Sequence, residues 1–363
     1  MKKHKILYSS YSQIPSNTAN SIAVIKQCAA LNELADLKVI LVRGKIKTDY
    51  KEIYNVPSLN IKLLPNMSTK YYSLGLRIYV ALYALIYKPD IVYSRDVFIN
   101  KTLNRFHIPN YYEIHQIDLN DNDFDKKYKK VLKSVSKNPY TKKIICIAQT
   151  LKKECIDFGI PEYKIKVLHS GVDLTKNHQS KESLIEKPNF KYNKPLVVYT
   201  GSTMSGKGTE IITEMSRLTK DYNFLIIGGN KGDIQEQDNL QHIPWVSQSL
   251  INQYLDMADF LIMPTVLQKY KFHSPLKLFE YLAAEKVIIA SDIDCVKEII
   301  THGKNGILAQ AGNPHSFLEQ MDSIKKDQSF AKKLKENARI SVLDYSWQNR
   351  AKKIISYIDE DTE

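Results

Sequence analysis

The chain has 363 residues, 43% of them hydrophobic and 25% charged, which excludes a disordered or fibrous protein and a single small module. Lys+Arg 52 against Asp+Glu 39 gives a net charge of +13, a balance that points to an acidic partner such as nucleic acid, an anionic membrane or a phosphorylated ligand. Cys28, Cys146, Cys155 and Cys295 show no CxxC spacing and no neighbouring histidine cluster, which predicts a reduced cytoplasmic chain without structural zinc.

The basic N-terminus has an apolar run too short for a signal-peptide core, and it predicts a first strand over residues 5–9. Further strands are predicted over 37–42, 91–94, 111–115, 143–148 and 165–169, then over 196–201, 223–228, 260–264, 287–291 and 306–309. Amphipathic segments over 21–34, 209–219, 249–257 and 275–284 lie between them, and past residue 311 the pattern is helical. Short apolar runs alternating with helices predict parallel, doubly wound sheets, and the length accommodates two. Polar residues around Pro188 place the break between the sheets within 178–194. The longest apolar stretch, 78–87, has ten residues, whereas a membrane-spanning helix needs about 20.

Charge divides unevenly. Residues 1–176 hold 29 Lys+Arg and 15 Asp+Glu, a balance of +14, while residues 177–363 hold 23 and 24, a balance of −1. Glycine runs the other way, with 4 residues in the first half and 9 in the second. Loops that bring backbone close to a phosphate are therefore expected in the second half.

Two segments there carry chemistry. GSTMSGKG at 201–208 reads as GxxxxGK between a strand and a helix, the form of a phosphate-binding turn. Gly208 stands where a nucleotide hydrolase needs Ser or Thr for magnesium, and a helix-capping glycine turn with a solvated lysine is the plainer alternative. The run SPLKLFEYLAA begins at Ser274, whose hydroxyl is expected to cap a helix that Pro275 opens. Such a start is also an anion site. Lys277 and Glu280 share one face of this helix, as ligand contacts or as a surface ion pair.

SPLKLFEYLAAEKVIIASD resembles the donor-binding helix of family-four retaining glycosyltransferases, group 1, in the subgroup with an S-P-x-K-x-x-E motif. That resemblance implies an α/β protein of GT-B fold, with two Rossmann-like doubly wound domains facing across a cleft and a C-terminal helix crossing back to the first. The implied domains are 1–176 for the acceptor, 177–345 for the nucleotide-sugar donor, and 346–363 for the returning helix. The first family acid falls on Phe272. In GSTMSGKG, Lys207 matches the family lysine and Ser202 replaces its arginine. VLHSGVDL, FLIIGGN with Gly229, PDIVYSRDVF, YYEIH and SWQNRAKKIISYI are similar to further family elements.

What the resemblance implies for the site is a catalytic group of His115, Lys207 and Glu280. Implied donor contacts are Gly201, Ser202, Lys207, Gly229, Ser274, Pro275, Leu276, Lys277 and Glu280. His115 closes a predicted strand, where doubly wound folds place ligand contacts, though a lone histidine is more often a structural residue. Arg95 is expected either to hold a phosphate or to pair with Asp96 or Glu113. Asn17, Thr18, Asn20, Arg95 and Asp96 are acceptor-side candidates, with helix capping as the alternative for the first three. No metal is expected, and no cofactor beyond the nucleotide-sugar donor.

The lysines at 126, 127, 129, 130, 133, 137, 142 and 143 form a dense run. With Tyr71, Tyr72, Leu74, Leu76, Ile78 and Tyr79 they suggest a peripheral site on the inner, anionic face of the cell membrane, or else a solvated face and a buried helix. The function expected is transfer of a sugar from a nucleoside diphosphate to a glycan or lipid-linked acceptor of lipopolysaccharide or capsule. Alternatives are a nucleotide-sugar epimerase on the same fold and a noncatalytic basic binding protein. No nucleic-acid recognition motif is present.

Overall fold

The computed structural model describes residues 3–66, 70–117, 123–174, 188–191, 193–232, 234–266 and 274–362. It forms two units, one of Met1–Gly171, Phe272–Ser274 and Trp347–Glu363, the other of Val172–Lys271 and Pro275–Ser346. The boundary at residue 171 precedes the break expected within 178–194, which falls largely outside the described residues.

The first unit opens with β1 (Lys5–Ile14), α1 (Ala19–Leu34), β2 (Asp36–Arg43), α2 (Tyr50–Tyr54), β3 (Ile61–Leu64), α3 (Lys70–Tyr87) and β4 (Ile91–Ser94). It continues through α4 (Val97–Arg105), β5 (Asn110–Ile114), α5 (Asp123–Lys137), β6 (Thr141–Cys146), α6 (Gln149–Asp157) and β7 (Ile165–Val167). The second unit runs β8 (Leu196–Thr200), α7 (Thr209–Leu218), β9 (Asn223–Ile227), β10 (Leu240–Ile243), α8 (Gln248–Met257) and β11 (Phe260–Met263). Then come α9 (Leu276–Ala283), β12 (Val287–Ser291), α10 (Asp294–Lys297), β13 (Ile307–Ala309), α11 (Pro314–Lys326) and α12 (Gln328–Val342). The last helix, α13 (Trp347–Thr362), belongs to the first unit.

Both sheets are parallel, with seven strands in the order β3-β2-β1-β4-β5-β6-β7 and six in the order β10-β9-β8-β11-β12-β13. The two strands missed in the sequence, β3 and β10, are edges of their sheets, four residues each. β3 is interrupted by the exposed Lys62 and is only partly buried, so it lacks the continuous apolar run that marks its buried neighbours. β1 extends past its expected end at residue 9 through a shift of register before Gln13 pairs with Val42.

Alternation along the strands of the first unit sorts residues between two helical layers. Leu7, Val92, Ile40 and Val42 pack with Leu76, Val80 and Ala84 of α3 and Ile99 and Leu103 of α4. Tyr8, Tyr93 and Tyr111 stand on the other face in adjacent register, ring edge to ring face at 5.4 and 6.4 Å. α13 lies against α1 on that side. The Tyr111 hydroxyl donates to the Tyr357 carbonyl and to Asp361, both at 2.7 Å. Lys143 pairs with Asp361 at 3.0 Å and Lys166 with Glu360 at 3.4 Å. Gly171 admits the Trp347 ring, whose atoms would lie 2.6 Å from a β-carbon there.

One buried side chain fixes this helix from inside. Arg350 donates from Nε to the His169 carbonyl at 2.9 Å, from one terminal nitrogen to Gln27, and from the other to Glu113 Oε2 at 2.8 Å. Removing one partner of a buried ion pair strands the other charge, which costs about 3–5 kcal/mol. Arg350→Ala is therefore expected to lower unfolding free energy in urea by about that amount, and by less in a Glu113→Gln background. A loss under about 1 kcal/mol in the single variant would contradict this role.

Candidate functional site

In the second unit the carboxyl ends of three strands are drawn together by glycine. The turn after β8 carries Gly201 at φ 128°, Gly206 at 82° and Gly208 at 92°, in the left-handed region that side chains avoid. A β-carbon on Gly208 would lie 2.0 Å from the Pro264 carbonyl oxygen beyond β11, and one on Gly229 2.5 Å from Thr203 Oγ1. Gly208 caps α7, and the Tyr199 hydroxyl donates to the Ser202 carbonyl at 2.7 Å. Tyr281 of α9 takes the Thr200 N–H at 2.8 Å, tying that helix to the end of β8.

Lys277, in the first turn of α9, reaches over this turn. Its Nζ lies 3.8 Å from the centre of the Tyr199 ring and would touch a β-carbon on Gly201 at 2.8 Å. The nitrogen is buried and has no hydrogen-bond partner among the described residues. Burial, and next the Lys207 charge, push its pKa well below the ordinary lysine value, with Glu280 acting in the opposite sense. Two lysines thus converge on glycine-lined strand ends at the start of a helix, where an arriving anion would supply the partner that the buried Lys277 nitrogen lacks.

The Ser274 expectation needs correction. Pro275 occupies the cap of α9, without a side-chain hydrogen bond. The Ser274 hydroxyl accepts instead from the Ser170 N–H at 2.8 Å, and its carbonyl takes the Ser170 hydroxyl at 3.0 Å. Leu276 is the first helical residue. Phe272 lies outside the described residues.

His115, Arg95 and Asp96 belong to the first unit. Glu113, buried at the end of β5, organises them. Its Oε1 accepts from His115 Nε2 at 2.7 Å and pairs with Arg95 Nε at 3.3 Å, and its Oε2 takes Arg350 and the Tyr93 hydroxyl. Burial alone would raise this carboxyl, but the charges of Arg350 and Arg95, with the hydrogen bond from His115, hold it well below the carboxylate range. Arg95 also donates to His115 Nδ1 at 3.2 Å. A guanidinium only donates, so Nε2 carries the imidazole proton. Both ring nitrogens are committed, although 34% of the side chain is exposed. Of the alternatives open for Arg95, the structure realises the pairing with Glu113.

Asp96 caps α4, accepting from Phe98 N at 2.9 Å and Ile99 N at 2.8 Å. Thr18 caps α1, Asn20 donates to Ser12 Oγ at 2.9 Å, and Asn17 is exposed. The sequence reading missed Arg350, Tyr93 and Gln27. For Arg350 a signal existed: it shares a helical face with Trp347, Ala351, Ile354 and Ile358, all buried, and an arginine on an apolar stripe implies a buried carboxylate.

Two doubly wound parallel sheets, with glycine turns at the strand ends of the second, define the class of α/β nucleotide-binding folds. The family follows from comparison. The description Glycosyl transferases group 1 matches residues 180–341, and Glycosyltransferase Family 4 matches residues 24–176. The chain belongs to the group 1 glycosyltransferases and has their GT-B fold.

An uncharacterized glycosyltransferase of Methanocaldococcus jannaschii is 24% identical over 232 residues, 59% of this chain and 58% of that protein. N,N'-diacetylbacillosaminyl-diphospho-undecaprenol alpha-1,3-N-acetylgalactosaminyltransferase of Campylobacter jejuni is 23% identical over 220 residues, 56% of each chain. The chain thus spans a little over half the length of these curated relatives. Among solved structures, Anabaena HepE in complex with UDP is similar with a TM-score of 0.76, covering 98% of this chain and 100% of that one at 16% identity.

Burial, then the Arg95 charge, lower the His115 pKa from 6.5 to about 4, against the pull of Glu113. Between these values the unfolded state binds more protons, so the ring's contribution to stability falls as pH drops from 6.5 towards 4. In wild type the His115 resonances are expected to titrate near 4, and His115→Gln to flatten the loss of melting temperature across that window. A midpoint at 6.5 would contradict the described hydrogen bonds.

Proposed function

We propose that the protein is an enzyme that transfers a sugar, with retention of configuration, from a nucleoside diphosphate sugar to a glycan or lipid-linked acceptor of a cell-surface polysaccharide. The observation that carries this reading is the buried, unpartnered Lys277 nitrogen beside Lys207 at a glycine-lined helix start. Breaking a glycosyl phosphate bond places negative charge on the departing diphosphate, and charge stabilisation in a dry site is the enzyme's largest lever on such a step. Lys277, Lys207 and the N–H groups opening α9 supply that stabilisation, and Glu280 accepts hydrogen bonds from the nucleotide ribose.

The relatives support the chemistry. The Campylobacter jejuni enzyme is named for N-acetylgalactosaminyl transfer to a diphospho-undecaprenol-linked sugar, and HepE was solved with UDP. Uridine is accordingly the base we assign to the donor. In this reading the lysines neutralise the diphosphate without a metal ion, so transfer persists in EDTA. In this reading the +14 balance of residues 1–176 supports an acceptor half that works at an anionic membrane surface on the cytoplasmic side.

A thermal-shift screen with UDP, GDP, ADP and their sugars tests the reading, with stabilisation by UDP and a UDP-sugar expected. Glu280→Ala is expected to weaken that stabilisation and Lys277→Met to abolish it. The ligand-free Lys277→Met protein should also gain about 1–3 kcal/mol, because a buried group without a partner has been removed. Absence of stabilisation by every nucleotide would overturn the assignment, and UDP binding unchanged in Lys277→Met would move the donor elsewhere.

A further inference from the structure

Lys70–Tyr87, the α3 helix, contains no Asp or Glu. Leu76, Val80, Ala81 and Ala84 bury one face in the core against the sheet. The opposite face carries Leu74, Ile78, Leu82, Leu85 and Ile86, exposed at 50, 40, 49, 44 and 82%. Helical geometry places these five within an arc of about 120°, so they form one stripe. Thirteen large apolar side chains are exposed among the described residues, and five on a single helix is a patch, not scatter.

α5 has the complementary pattern. Val131, Leu132 and Val135 are buried, while Lys126, Lys127, Lys130, Lys133 and Lys137 are exposed along one face. Lys129, Lys142 and Lys143 are half-buried, and Lys143 is tied to Glu360 and Asp361. The basic run is thus narrower than its eight lysines imply. Leu76, expected among the apolar contacts, is buried, and the side chains of Tyr71 and Tyr72 lie outside the described residues.

α4 lies between the two helices and contacts both. The Phe98 ring of α4 has the Arg77 guanidinium of α3 at 4.6 Å and the Lys127 ammonium of α5 at 5.8 Å. α4 packs on both helices, and all three cover the same side of the sheet. Arg105 and Phe106, at the end of α4, are also exposed.

We propose that the outer faces of α3 and α5 form one docking surface for an anionic lipid bilayer. The aliphatic stripe enters the interfacial zone and the lysines lie on acidic headgroups. The proposal rests on the lipid-linked acceptor of the proposed function and names the surface that brings the enzyme to it. Charge selects the occupant. An aliphatic stripe beside a row of exposed lysines matches a bilayer whose surface is negative and whose interior is apolar. A second copy docked face to face would set the same lysine rows against each other, and nucleic acid would leave the aliphatic stripe in water. Among the described residues no helix is long and apolar enough to cross a membrane, so the stripe lies along the surface.

The test is cosedimentation of the full chain with phosphatidylcholine vesicles, with and without phosphatidylglycerol, beside UDP thermal shifts and gel filtration. Wild type is expected to bind the phosphatidylglycerol vesicles at least about tenfold better, in a salt-sensitive manner. Leu82→Glu/Ile86→Glu and Lys130→Glu/Lys133→Glu should each lose about tenfold in partitioning while their melting temperatures and UDP shifts match wild type. Vesicle binding that survives with no UDP response supports the surface while removing the donor assignment. Equal binding to both vesicle types, full binding by both variants, or a wild-type dimer that Leu82→Glu/Ile86→Glu dissociates would overturn the proposal.

Discussion

Glu113 is buried at the carboxyl end of β5, and a carboxylate removed from water stays ionised there only if cations are buried with it. Two guanidiniums answer that constraint. Arg95 comes from the neighbouring strand end, and Arg350 from a helix 237 residues further along the chain. Much of the first unit follows from this pairing: the attachment of α13, the proton on His115 Nε2, and the low basicity of that ring. The tyrosine row beneath α13 adds packing, but its hydroxyls also find partners in the same cluster and on the same helix.

The second unit buries a basic group and leaves it without an acceptor among its described residues. Lys277 sits against the Tyr199 ring and over Gly201, and a ring face compensates an ammonium only in part. Such a site is destabilising unless an anion arrives, and that asymmetry separates a binding site from a structural ion pair. The glycines matter for the same reason. At Gly201 and Gly208 a β-carbon would displace the lysine or the β11 end, so the turn holds its form only with bare backbone.

Much of this architecture was legible in the sequence, because strands buried on both faces write themselves as apolar runs. Residues 91–94 and 287–291 became β4 and β12 without change, whereas β3 and β10 escaped because each has only four residues and polar side chains interrupt its apolar pattern, Lys62 in β3 and Gln241 and His242 in β10. The chemistry was legible by residue type more than by environment. Spacing put Lys277 and Glu280 on one face of α9, but the burial of Lys277 depends on Tyr199 and Gly201, which lie some 75 residues earlier. Ser274 followed by Pro275 looked like a cap, yet the hydroxyl had a stronger claim from the Ser170 N–H. The lysine run overstated its exposed charge, since helix rotation and the pull of Glu360 and Asp361 took part of it inward.

The central claim is that the Lys277 side chain, its basicity lowered by burial, is held short of an acceptor until a diphosphate supplies one. A depressed lysine pKa returns towards its ordinary value when an anion binds, so at a pH above the depressed value the protein takes up a proton as the ligand enters. Calorimetric titration with UDP at mildly alkaline pH, repeated in buffers of different ionisation enthalpy, measures that proton directly. Net uptake in wild type, absent from Lys277→Arg, is the predicted result; binding without proton uptake would contradict the account.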